Sequence, residues 1–90
     1  MRIIEVDTPS FTGRFLHPQE TTDALIVKAQ IGAKSILEQF KNYLKLSLVD
    51  RNQLEELEVL NDFEVRDVWE AFCTTPPTRL EIPNAVPAWL

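Results

Sequence analysis

Lys34-Ser35-Ile36-Leu37-Glu38-Gln39-Phe40-Lys41-Asn42-Tyr43-Leu44-Lys45-Leu46 carries the clearest helical period in the chain. Projected from Ala33 at about 100° per residue, Ile36, Leu37, Phe40, Tyr43 and Leu44 fall within roughly 280° to 40°. Lys34, Ser35, Glu38, Gln39, Lys41, Asn42 and Lys45 fall within roughly 80° to 240° on the same projection. One apolar stripe and one wet face make this an amphipathic helix lying on a core.

On its N-terminal side, Thr22–Ile31 admits two periods. As a helix it puts Leu25, Ile26 and Ala29 on the same stripe; as a strand it alternates Leu25, Val27, Ala29 and Ile31 with Ile26, Lys28 and Gln30. Pro18 and the capping residues Thr21, Thr22 and Asp23 favour the helix. On the other side, Asp50-Arg51-Asn52-Gln53 has the pattern of a capping box, and Leu54, Leu57 and Leu60 continue it as a short helix over 51–60. Asn61-Asp62 interrupts, and Asp62 is placed to cap a further helix, Phe63–Cys73. Its apolar side is Val65, Val68, Trp69 and Phe72, and Thr74-Thr75-Pro76-Pro77 ends it. Phe40, Trp69 and Phe72 sit mid-stripe and are expected in the core.

The ends differ from this body. Residues 1–17 lack a helical period, but Arg2–Asp7 can pair with Arg14–His17 as a short ribbon across a turn near Thr12-Gly13. Residues 74–90 hold four of the six prolines, which forbid a regular helix there. The expected fold is therefore mainly α: one small domain of three to four helices over 18–73, with extended N- and C-terminal arms.

Charge is unevenly spread. The net charge is −5, yet residues 50–73 alone carry eight acidic and two basic groups. That balance argues against direct nucleic-acid binding, which needs Lys and Arg at the phosphates. It also weakens a helix-turn-helix reading of 51–73, because the second helix would present Glu64, Arg66, Asp67 and Glu70 to DNA. No apolar run is long enough to span a bilayer, and Met1-Arg2-Ile3-Ile4-Glu5 does not read as a secretory signal. A single cysteine, Cys73, excludes an internal disulfide and points to the cytoplasm.

His17 and Cys73 are each alone in kind, which excludes Cys/His zinc sites. Two glycines, Gly13 and Gly32, cannot build a glycine phosphate cradle. A calcium loop from Asp50 fails at Leu54, Glu55 and Asn61. The expectation is a protein that is not an enzyme and uses no cofactor or metal.

Over Thr22–Phe40, an acidic start, a short apolar run and small residues on one face are similar to the opening helix of phage head-to-tail connector adaptors. This resemblance covers about a fifth of the chain. It implies a structural part in a larger assembly.

The functional expectation is a protein–protein interaction module: a small subunit or adaptor of an assembly, homo- or hetero-oligomeric, or a regulator presenting an acidic face to a basic partner. The candidate contact residues are Glu55, Glu58, Asp62, Glu64 and Asp67, together with Trp89 and Leu90 on the tail. The alternatives are an acidic mimic of nucleic acid, with carboxylates standing in for phosphates, and a helix-turn-helix DNA binder. Both arms carry large apolar residues that need a surface, which a partner would supply.

Overall fold

A computed structural model describes residues 1–79. Strands β1 (Arg2–Asp7) and β2 (Thr12–Leu16) pair antiparallel, from Ile3 opposite Leu16 to Asp7 opposite Thr12. The ribbon expected from the sequence is present, but its turn lies earlier, at Thr8–Phe11. There the Phe11 amide donates to Thr8 Oγ1 at 3.0 Å, and that hydroxyl donates to Phe11 O at 2.9 Å. Gly13 is instead inside β2, opposite Val6. Its missing side chain matters, because a Cβ there would stand 2.5 Å from Cε1 of the buried Phe11 ring. A two-residue strand, β3 (Thr78–Arg79), joins the far side of β1, giving the order β2-β1-β3.

A 3-10 turn over Pro18–Glu20 follows β2, with His17 Nδ1 accepting from the Gln19 amide at 3.1 Å. The ambiguous segment is a helix, α1 (Asp23–Gln30), burying Leu25 and Ala29. Gly32, at φ 73°, reverses the chain where an L side chain would be strained. The stretch of clearest period forms α2 (Ile36–Ser47). Ser35 Oγ accepts from the Glu38 amide at 3.1 Å, while the Glu38 carboxylate accepts from the Lys34 amide at 3.2 Å.

The next expected helix is shorter than the leucine spacing suggests. A 3-10 turn over Arg51–Gln53 leads into α3 (Leu54–Glu58). The capping box predicted at Asp50 and Gln53 does not form. Asp50 accepts two hydrogen bonds from the Arg14 guanidinium, 3.0 Å from Nε and 2.8 Å from Nη2. Gln53 Nε2 donates to Thr12 O at 2.9 Å. Both side chains are used to fasten this segment to the hairpin, a tertiary demand that the local pattern could not reveal. The last helix, α4 (Asp62–Thr74), has its box at Asn61 and Glu64, so Asn61 is the cap and Asp62 the first helical residue.

The helices cover one face of the sheet. Ile4, Val6 and Phe15 from the strands meet Leu44, Leu48, Leu57, Val65, Val68 and Phe72 from the helical side. The Val49 amide donates to Arg14 O at 2.9 Å, tying the exit of α2 to the edge of β2. The N-terminal segment is therefore no free arm: Ile3, Ile4, Val6, Phe11, Phe15 and Leu16 are all buried. Helix remains the dominant structure, beside a three-stranded antiparallel sheet.

Candidate functional site

An aromatic column runs from the core to the surface. Phe15 meets Phe72 edge-on at 5.8 Å between centroids, and Phe72 meets Trp69 at 5.5 Å. Trp69 then stacks on Phe40 at 4.2 Å with 6° between planes, and Tyr43 abuts Trp69 edge-on at 5.7 Å. Of the three aromatics expected in the core, only Phe72 is buried; Phe40 and Trp69 pack against the core with part of each ring in solvent. The reason is geometric. The stack of these two rings bridges α2 and α4 on the side that faces α1, where the three helices leave a space between them.

That gap is a groove of about 720 Å³. Its walls come from α1 (Ile26, Ala29, Gln30), α2 (Gln39, Phe40, Tyr43) and α4 with its exit (Trp69, Phe72, Cys73, Thr74, Thr75, Pro76, Pro77), and His17 and Pro18 close one end. Among the described residues that line it there is no Asp, Glu, Lys or Arg. The walls are held by polar bonds outside the groove's apolar floor. Asn42 Nδ2 donates to Ala29 O at 3.1 Å, joining α2 to α1. Thr74 and Thr75 hydroxyls donate to Glu70 O and Ala71 O at 2.8 and 2.6 Å, closing the end of α4. Ile26, 47% exposed, stands at the rim.

Cys73 and His17 both line this groove, which raises the question of a thiol nucleophile. Desolvation pushes the Cys73 thiol up, whereas an activated cysteine is pulled down towards the thiolate. Among the described residues, no group of three or more His, Cys, Asp or Glu gathers as a metal would need. No helix among them is long and apolar enough to cross a membrane.

The sequence-predicted contact residues lie elsewhere, on α3 and the outward side of α4. Glu55 is exposed in the first turn of α3, and Glu58 ends that helix with an oxygen 3.2 Å from Lys45 Nζ. Asp62 opens α4, Glu64 serves the capping box, and Asp67 is exposed one turn on. Much of this charge thus has a local reason, since carboxylates in a first helical turn complement the orphan amides there. Val59 and Phe63 stand exposed among them, at 80% and 78%. Trp89 and Leu90 lie outside the described residues. The groove itself was missed in the sequence. The stripes carried no signal for it, because Phe40 and Trp69 sit mid-stripe and read as core.

The chain matches no known protein family, no curated protein and no solved structure. The stretch similar to connector adaptors, Thr22–Phe40, is not one helix but two, broken between Gln30 and Ile36.

Proposed function

We propose that this protein is a non-enzymatic interaction module, a small subunit or adaptor, that receives an apolar segment of a protein partner in the groove between α1, α2 and α4. The observation that carries the reading is the open Phe40–Trp69 stack. Two large rings partly in water on the floor of a groove whose described lining residues include no Asp, Glu, Lys or Arg are the kind of surface on which partner anchors bury. Burial pushes the Cys73 thiol up, which argues against this one side chain as the nucleophile of the groove. The carboxylates Glu55, Glu58, Asp62, Glu64 and Asp67, with Phe63 among them, supply a second surface that favours a partner with a basic patch.

The test is capture of binding partners by the intact protein beside two variants. Ile26→Glu puts a charge on the groove rim at an exposed position and is expected to leave the fold intact while abolishing capture. Replacing Glu55, Glu58 and Asp67 with Gln, Gln and Asn is expected to slow association by about tenfold at low salt, with the difference shrinking as salt rises. A partner retained by Ile26→Glu with unchanged affinity refutes the groove reading. Unchanged association in the charge variant shows the carboxylates to be merely solvated.

A further inference from the structure

A second, smaller hollow of about 260 Å³ shares no described lining residue with the groove. Its walls are Lys28 from α1, Asn42, Lys45 and Leu46 from α2, and Arg51 and Leu54 from the turn that leads into α3. Half of these side chains are cations, each from a different element, in a chain with nine Lys and Arg and a net charge of −5. Asn42 Nδ2 donates to Ala29 O at 3.1 Å and fixes α1 against α2 beside the hollow. The Arg51 guanidinium donates from Nη1 to Lys45 O, which ties the turn to the end of α2 and spends one of its five N–H donors. Lys45 Nζ lies 3.2 Å from Glu58 Oε1, the one ion pair that any of the three cations makes among the described residues. A cation in the last turn of a helix answers the orphan carbonyls there, which accounts for Lys28 and Lys45 one at a time. It does not account for their meeting, with Arg51, around one hollow, where like charges repel.

We propose that Lys28, Lys45 and Arg51 bind a phosphate monoester in this hollow, the phosphate of a small ester or of a phosphorylated side chain. Three cations less the Glu58 carboxylate leave two positive charges, against roughly −1.5 to −2 on a phosphate monoester at pH 7. A single carboxylate carries about half of that. Arg offers a planar fork of donors and Lys a point charge, and both are matched to phosphate oxygens. The volume lies just below the roughly 300–1,000 Å³ of ordinary small-molecule sites, so the hollow suits a head group, with Leu46 and Leu54 beside the carbon that bears it. An extended nucleic-acid strand suits it poorly, because further phosphates would come beside the exposed Glu55, Glu56 and Glu58 of α3. Binding relieves the repulsion among the three cations, so the ligand also stabilises the fold. This inference does not rest on the groove reading.

The test is a titration of the full chain followed by amide shifts in nuclear magnetic resonance, with ionic strength held constant by sodium chloride. The probes are glycerol phosphate and the tripeptide glycyl-phosphoseryl-glycine, with acetate and the unphosphorylated tripeptide as controls. Saturating shifts centred on Lys28, Asn42, Lys45 and Arg51 are expected with at least one phosphate probe and with neither control. Tighter binding of glycerol phosphate identifies a free ester as the source, and tighter binding of the tripeptide a phosphorylated side chain. Lys28 is exposed and pairs with no carboxylate among the described residues, so Lys28→Gln spares the fold and is expected to weaken binding by about tenfold. Glu58→Gln frees Lys45 and is expected to tighten binding by about threefold, whereas Glu70→Gln, the same charge change on α4, should leave it within about twofold. Shifts that do not saturate or that spread over the whole surface, equal affinity in Lys28→Gln, or acetate bound as tightly as the esters would overturn the proposal. Where a variant fails to fold, the titration of the parent chain decides.

Discussion

The Phe40–Trp69 stack can be tested as a pair. Truncating a fully buried Phe or Trp to Ala costs roughly 3–5 kcal/mol, and these rings are only partly covered, so about 2 kcal/mol each is expected. A stacked pair adds about 0.5–1.5 kcal/mol beyond the area it buries. At 4.2 Å and 6° the two rings are nearly parallel and close, so the upper half of that range applies. The coupling measured by Phe40→Ala, Trp69→Ala and the double variant should then be about 1 kcal/mol. For a domain of this size each kcal/mol moves Tm by about 4–8 °C, so each single variant should melt about 8–16 °C below the parent. Thermal melts followed by circular dichroism, with urea unfolding for the free energies, supply the cycle. A coupling below about 0.3 kcal/mol, within ordinary additivity, would show that the rings do not meet in solution, and the groove floor would lose its basis.

Other outcomes follow from single residues. Asn61→Ala removes half of the box that starts α4 and should lower stability by about 1 kcal/mol in urea unfolding. Gly13→Ala drives a methyl into the Phe11 ring and should cost about 1–3 kcal/mol, whereas Gly32→Ala has open space and should cost only about 1 kcal/mol of backbone strain. The Arg14 guanidinium, chiefly by its hydrogen bonds, holds the Asp50 carboxyl below its usual value of 3.8. A depressed folded value means the pair stabilises above about pH 4 and loses this as pH falls through the folded value; the pair is a third exposed, so the effect stays under about 1 kcal/mol. Asp50→Asn should therefore be less stable than the parent at pH 7 and converge on it in acid, as read by unfolding at stepped pH.

Much of the fold was legible where local rules act alone. The α2 stripe, the α4 stripe and the strand pair around Ile4 and Phe15 follow from period and pairing over a few residues. What was hidden are the positions where a side chain answers a distant one. Asp50 looked like a cap because its neighbours fit a capping box, but Arg14, far off in sequence, takes both of its oxygens. Gly13 looked like a turn because glycine favours turns, but the ring of Phe11 is what excludes a side chain there. The candidate site was less legible still. The acidic cluster is visible by counting, but a groove arises from the space left between three helices, and no single helix encodes it. Phe40 and Trp69 read as core from their stripes, and only the spacing of α2 and α4 shows that their outer edges are bare.

The central position of β1 constrains the order in which this protein can assemble. Its pairing with β2 closes a short loop through Thr8–Phe11, so the hairpin can form as soon as Leu16 is made. Its pairing with β3 joins Ile3 to Thr78 and must wait for nearly the whole described chain. During synthesis the free edge of β1 therefore stays open while α1 to α4 emerge. The short, two-residue β3 is the last strand to arrive, a closing step of high sequence separation in an otherwise local topology. Refolding should accordingly show the hairpin amides of Ile4 and Phe15 protected before those of Ile3 and Thr78, a sequence that pulsed hydrogen exchange resolves residue by residue.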